Sequence, residues 1–220
     1  QLAVARDYDV FLASMHHLED ALPSAPLGRA ELAQMLADRR QEGFAIASSA
    51  AASVRFQRLI LSSACALIAR ADGEAGAGIP ARDLARTVLE HRTQRVLHRL
   101  GRFARLSVRE RHELRIQVKK LRYGTDFFAT LFSKTNRARQ RFSRELEALQ
   151  DVLGRLNDIA VHRRIARELI AGGTSEGCGD RRIAFAMGAL AGKEQAESGS
   201  LPAAVPKLRA RLAKAPRFWR

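Results

Sequence analysis

Long stretches of the chain are rich in Ala, Leu, Arg and Glu, with apolar residues recurring at the three- and four-residue spacing of one helix face. Breakers punctuate these stretches and do not interrupt them. Prolines stand at 23, 26, 80, 202, 206 and 216, and glycines cluster at Gly73–Gly78 and Gly172–Gly179. No alternating run rich in β-branched residues is long enough to read as a strand. The pattern predicts helices near 2–21, 28–50, 53–71, 81–105, 108–133, 136–171, 179–197 and 202–214. Ser107-Val108-Arg109-Glu110 has the form of a capping box, in which the serine hydroxyl and the glutamate carboxylate satisfy each other's backbone donors. From Arg137 to Ile170 the pattern is long enough to expect a bend, with Gly154 the natural place for it. Helices joined by short turns, each with one apolar stripe, imply antiparallel bundles in an all-α fold.

An internal echo adds to this. Leu2-Ala3-Val4-Ala5-Arg6-Asp7-Tyr8-Asp9-Val10 aligns with Leu153-Gly154-Arg155-Leu156-Asn157-Asp158-Ile159-Ala160-Val161, sharing Leu, Asp and Val at corresponding places. Such an echo implies two similar halves, the first shortened at its N-terminal end. The expected organisation is one domain over 1–220, with 1–80 the remainder of a first helical half and 81–220 the second. Cys65 and Cys178 stand far apart and outside any metal-ligand spacing, so neither a disulfide framework nor a zinc site is expected. A reducing, cytoplasmic setting follows. No uncharged apolar run reaches the ~18 residues of a membrane span, and no signal peptide opens the chain. The first residue is Gln, from which an upstream segment is expected.

Charge changes the picture most. Lys and Arg number 38 against 23 Asp and Glu, a formal net charge of +15, and such a balance draws anionic partners. Between His91 and Arg144 sixteen Arg or Lys face only Glu110, Glu113 and Asp126. Within this region His112, Arg115, Lys119 and Arg122 fall in about 80° of helical arc, with Lys120 beside them. Leu114, Val118, Leu121, Phe128 and Phe132 take another face, expected to be core. Arg92, Arg95, Arg99 and Arg102 repeat the same spacing on the preceding helix, opposite Leu89, Val96, Leu100 and Phe103. Like charges three and four residues apart destabilise a helix by about 0.2–0.5 kcal/mol per pair, so two such stripes are better explained by a neutralising anion than by a merely solvated face.

Guanidinium forks bind phosphate oxygens bidentately. About ten exposed pairs at ~0.8 kcal/mol each would sum to about 8 kcal/mol, a micromolar affinity, so the ligand is expected to be extended. Single-stranded nucleic acid also needs aromatic platforms. Aromatics are only 6% of the chain, and most of the ten Phe occupy core-like positions. Inorganic polyphosphate is therefore the leading partner. Nucleic acid is the weaker polyanion that the same stripes would take, and a scaffold docking acidic proteins is the third reading.

The stretch His112-Glu-Leu-Arg-Ile-Gln-Val-Lys-Lys-Leu-Arg-Tyr123, followed by Phe127-Phe128, resembles the CHAD family, the conserved-histidine α-helical domain. Leu149-Gln150-Asp151-Val152-Leu153-Gly154-Arg155-Leu156-Asn157-Asp158 is similar to its second signature. Ala5-Arg6-Asp7-Tyr8-Asp9-Val10 resembles the matching segment of its first half, and the closing Phe218-Trp219 is also typical. The resemblance implies two pseudo-symmetric antiparallel four-helix bundles, basic residues lining a groove or pore, polyphosphate binding, association with polyphosphate granules, and in some members fusion to a CYTH triphosphatase. By position it makes His112, Arg115, Lys119 and Arg122 the ligand-facing set. It places the equivalent basic helix of the first half before Gln1.

No nucleophile–base constellation is visible. The nearest string to the ExExK of a CYTH triphosphatase, Glu145-Leu-Glu147-Ala-Leu149, ends in Leu and lies on a predicted helix, and no GxxxxGK[ST] occurs. A binding module with no catalytic residue, cofactor or metal is expected. His16 and His17 are adjacent and point to different helix faces, which makes a poor metal pair. Asp126 is expected to pair with Arg122 or a neighbouring arginine and Asp7 with Arg6 or a neighbour, and Asp158 to be a buried or capping acid. His112 reads equally as a ligand contact and as a structural histidine held at a bundle interface.

Overall fold

A computed structural model describes residues 2–19, 28–71, 78–172 and 178–220, nearly all of them helical. The helices are α1 (Leu2–Glu19), α2 (Arg29–Ala52), α3 (Val54–Ala71), α4 (Ala81–Gly101), α5 (Val108–Phe127), α6 (Asn136–Gly172), α7 (Cys178–Ser198) and α8 (Leu201–Lys214). No strand occurs among the described residues, so the expected all-α class holds.

The chain folds as two compact units, and neither is a continuous segment. The first takes residues 1–78 and 161–193, the second 79–160 and 194–220. In the first unit Phe11 and Met15 of α1, Leu32 and Leu36 of α2, Ile165 of α6, and Ala186, Met187 and Leu190 of α7 form the core. Phe11 stacks on the buried His162 with ring centroids 4.4 Å apart. Gly28 initiates α2 with φ of +86°, and a Cβ there would come within 2.1 Å of the Arg182 backbone. Both the left-handed conformation and the close approach of α7 require glycine at that place.

Helix α3 departs from this packing. Ser53 adopts extended backbone (φ −70°, ψ 147°) between α2 and α3, its hydroxyl accepting the Phe56 N–H at 3.2 Å, and the two helices bend by 50°. Every described side chain of α3 is exposed, including Leu59, Ile60, Leu61, Leu67 and Ile68. Among the described residues no single helix is long and apolar enough to cross a membrane; only the bent pair α2–α3 reaches that length and apolarity.

The second unit has the larger core. Leu89, Val96 and Leu100 of α4, Leu114, Val118 and Leu121 of α5, Phe142, Leu146, Leu149 and Leu153 of α6, and Val205 and Leu212 of α8 meet Phe103, Phe132, Phe218 and Trp219. The apolar stripes expected on α4 and α5 are thus the buried ones, Phe128 packing at the core's edge. The C-terminal residues are fastened by polar contacts. Trp219 donates its indole N–H to Glu90 at 3.1 Å, Arg86 donates to the Trp219 carbonyl at 2.9 Å and Thr135 to that of Phe218 at 2.9 Å.

Two helices stop earlier than periodicity predicts. α4 ends at Gly101, not at 105, and a 3-10 turn over Phe103–Arg105 follows. Arg209 donates to the Leu97 carbonyl at 3.1 Å, in the last turns of α4. α5 ends at Phe127, not at 133, and a 3-10 segment over Ala129–Thr135 follows. Phe132 leaves helical geometry there (φ −127°, ψ 40°) and turns its ring edge-on to Phe218 at 5.7 Å. α6 is continuous through Gly154.

Candidate anion-binding site

Helix α5 organises the basic region. Its start is the expected capping box: Glu110 N–H donates to the Ser107 hydroxyl at 3.3 Å, and Ser107 N–H donates to the Glu110 carboxylate at 2.8 Å. That backbone bond holds the Glu110 carboxyl below its ordinary pKa. With the start fixed, the helical repeat fixes the faces. Leu114, Val118, Leu121 and Thr125 are buried, and the basic residues emerge on the two flanks of this core face.

One flank carries His112, Arg115, Lys119 and Arg122, and it meets α6. His112 Nδ1 lies 2.7 Å from the Asn157 side-chain oxygen. Arg122 donates to Gln150 at 3.2 Å and stands 3.9 Å from Glu147. On α6, Glu147, Gln150, Gly154 and Asn157 repeat the i, i+3, i+7, i+10 spacing of the basic stripe, so they share an arc of about 80°. The two stripes run antiparallel. Contacts close the ends, at His112–Asn157 and at Arg122–Gln150, and leave Arg115 and Lys119 level with Gly154.

A side chain added at Gly154 would meet nothing within 4 Å. The Nε of Arg115 is buried with no hydrogen-bond partner, and Arg115 has no acidic partner among the described residues. Lys119 lies over the Tyr123 ring at 5.5 Å. Two cationic side chains thus stand at the middle of a cleft whose opposite wall lacks a side chain. Glu147, Gln150, Gly154 and Asn157 were not singled out as site residues from the sequence, although their spacing repeats that of the basic stripe.

Lys120 and the arginines of α4 lie elsewhere. Glu113, Gln117 and Lys120 sit about 120–180° round α5 from the middle of the His112 stripe, on the flank that meets α4. Arg99 pairs with Glu113 at 3.1 Å and Arg109 with the same carboxylate at 3.5 Å. Arg92, Arg95, His91, Val88, Gln117 and Lys120 line a pocket of about 350 Å³. Arg102 caps α4 just past its last turn, outside the row that its spacing predicts. The two basic stripes therefore open on different sides of α5.

Other expected residues find structural places. Asp126 lies 3.8 Å from Arg139 and Asp7 3.2 Å from Arg164, so each acid has an arginine partner, but from another helix and not the expected Arg122 or Arg6. Asp158 is half-buried inside α6 and not at a helix start. The side chains of His16 and His17 lie outside the described residues. Among the described residues no group of three or more His, Cys, Asp or Glu is placed to hold a metal ion. Phe11, Phe103, Phe132, Phe142 and Phe218 are buried, but Phe44, Phe56, Phe127 and Phe185 are exposed. With Phe128 packed against the larger core, six of the ten Phe are core or core-edge residues, and the four exposed ones are what the periodic pattern did not reveal.

The comparisons with known proteins bear on the same residues. No curated protein matches the chain. The family model described as the CHAD domain matches residues 1–167, a span that includes all of α5, the Glu147–Asn157 stripe of α6 and the α1 segment of the internal echo. The chain belongs to the CHAD domain family.

Proposed function

We propose that the protein is a non-catalytic binding module for inorganic polyphosphate, held along the α5–α6 flank by His112, Arg115, Lys119 and Arg122. The observation that carries this reading is the pair Arg115 and Lys119, without acidic partners among the described residues, level with the open space at Gly154 and framed by the His112–Asn157 and Arg122–Gln150 contacts. The exposed ends of these two side chains offer an anionic oxygen charge-assisted hydrogen bonds. The end contacts with Asn157 and Gln150 hold the outer side chains in place, so less ordering is required on binding. Arg92, Arg95, Arg102 and Lys120 add positive field that draws a polyanion in, whereas Arg99 is paired with Glu113. Such a module would sit in the cytoplasm and associate with polyphosphate granules.

Calorimetry with polyphosphate of defined lengths tests this. Affinity should rise with chain length, and an Arg115→Ala/Lys119→Ala/Arg122→Ala variant should lose at least 100-fold. Binding that ignores chain length, or that survives in the variant, would overturn the reading. Metal-dependent hydrolysis of tripolyphosphate would overturn the non-catalytic part.

One observation favours nucleic acid as a second reading: Tyr123 and Phe127, 56% and 79% exposed, stand on the outer face of α5 beside the basic flank. Competition separates the two. Polyphosphate should displace RNA far more readily than RNA displaces polyphosphate.

A further inference from the structure

The pocket between α4 and α5 has features of its own. Arg92 and Arg95 enter it from α4 with His91, Lys120 and Gln117 enter it from α5, and Val88 contributes an apolar wall. Arg92, Arg95 and Lys120 have no acidic partner among the described residues, whereas Arg99, one turn on, is neutralised by Glu113 at 3.1 Å. The side-chain oxygen of Gln117 is buried without a hydrogen-bond partner. Three cations and an imidazole thus line about 350 Å³, room for one or two tetrahedral anions. The body of α5 separates this pocket from the His112 flank, so one phosphate group cannot bridge the two.

We propose that the α4–α5 pocket is a second anion site that takes a single phosphate group, either free inorganic phosphate or the terminal group of a polyphosphate chain. Arg92 and Arg95 supply guanidinium forks to its oxygens and Lys120 a point charge. Gln117, with its amide turned so that the NH₂ faces inward, donates one further hydrogen bond. A terminal phosphoryl group or orthophosphate carries an ionisable oxygen that an internal unit of the chain lacks. A compact, multiply cationic pocket would discriminate on that difference.

The test titrates the full chain with inorganic phosphate at constant ionic strength, followed by calorimetry and by ³¹P line broadening. Saturable binding at one site is expected, weakened at least tenfold in Arg92→Ala/Arg95→Ala and about threefold in Lys120→Gln. It should be unchanged in Lys214→Ala, an exposed cation of α8, and should fall less in Arg115→Ala/Lys119→Ala than in Arg92→Ala/Arg95→Ala. Circular dichroism melts confirm that each variant is folded. Non-saturable binding, binding indifferent to the Arg92/Arg95 change, or equal loss in the Arg115/Lys119 variant would overturn the proposal. A parallel titration with long polyphosphate identifies the source. If the Arg92/Arg95 variant loses affinity for chains with free ends but not for chains with esterified ends, the bound group is a chain end; if only orthophosphate is affected, it is free phosphate. Because the first probe is orthophosphate, failure of the polyphosphate reading for the α5–α6 flank leaves this result interpretable.

Discussion

Arg115 shows how much a single side chain can be asked to do. Its charge is permanent and its fork planar, and its Nε is buried with no partner. Arg115→Lys keeps the charge but removes the bidentate geometry, so polyphosphate affinity should drop about five- to tenfold with the melting temperature held. Gly154→Leu fills the opposite wall instead. It should cost chain affinity at least as much while leaving helicity intact, since leucine is a better helix former than glycine. Calorimetry and far-UV dichroism on the pair separate a lost contact from a blocked cleft. Gly28 marks a different kind of constraint. With φ of +86° and the Arg182 backbone 2.1 Å from any Cβ, Gly28→Ala should destabilise the protein by about 2–4 kcal/mol, read from urea unfolding. The stripe His112, Arg115, Lys119 and Arg122 was legible because its spacing is local. The partner of His112, Asn157, was not, because which side of α5 meets α6 is settled by packing between distant segments.

At the scale of elements, caps and clamps decide where helices begin and end. The Ser107–Glu110 box was readable from four letters, and Ser107→Ala should lower stability by about 1 kcal/mol in denaturant unfolding. The early ends of α4 and α5 were not readable, because they accompany contacts between distant segments, Phe103 entering the core and Phe132 turning toward Phe218. Glu90 fastens the chain's last residues to α4. Burial pushes its carboxyl up, but hydrogen bonds with Gln94 and Trp219 and the charges of Arg220 and Arg217 outweigh this and hold it below the ordinary 4.5. A carboxyl depressed in the folded state stabilises above its unfolded pKa, and that contribution fades as pH falls through the folded value. Glu90→Gln should therefore lower the melting temperature at neutral pH, and the gap to the wild type should narrow as the pH falls below 4.5.

For the whole molecule, the excess of positive charge sets both partner and conditions. Polyphosphate affinity should fall linearly on a plot of log K against log salt, by the release of counterions from the chain. A ligand that binds only the folded state, at about 100 times its dissociation constant, stabilises by about 2.7 kcal/mol. In a protein of this size that is a rise of about 5–10 °C in melting temperature, which a thermal-shift series over chain length would show. The fold class and the cationic region were legible in composition and periodicity. The split into two units was not, since residues 161–193 join the first unit across a long interval of sequence.

That interleaving has a consequence for synthesis. As the nascent chain leaves the ribosome, α1 and α2 emerge with half of their core partners, Ile165, Ala186, Met187 and Leu190, still untranslated. At about 5–20 residues per second, the wait lasts on the order of ten seconds, during which Phe11, Leu32 and Leu36 have no complete core to enter. The exposed apolar side chains of α3 lie next to them in sequence. Chaperone capture should therefore concentrate on nascent chains that end between roughly residue 100 and residue 190, and selective ribosome profiling would locate that window directly.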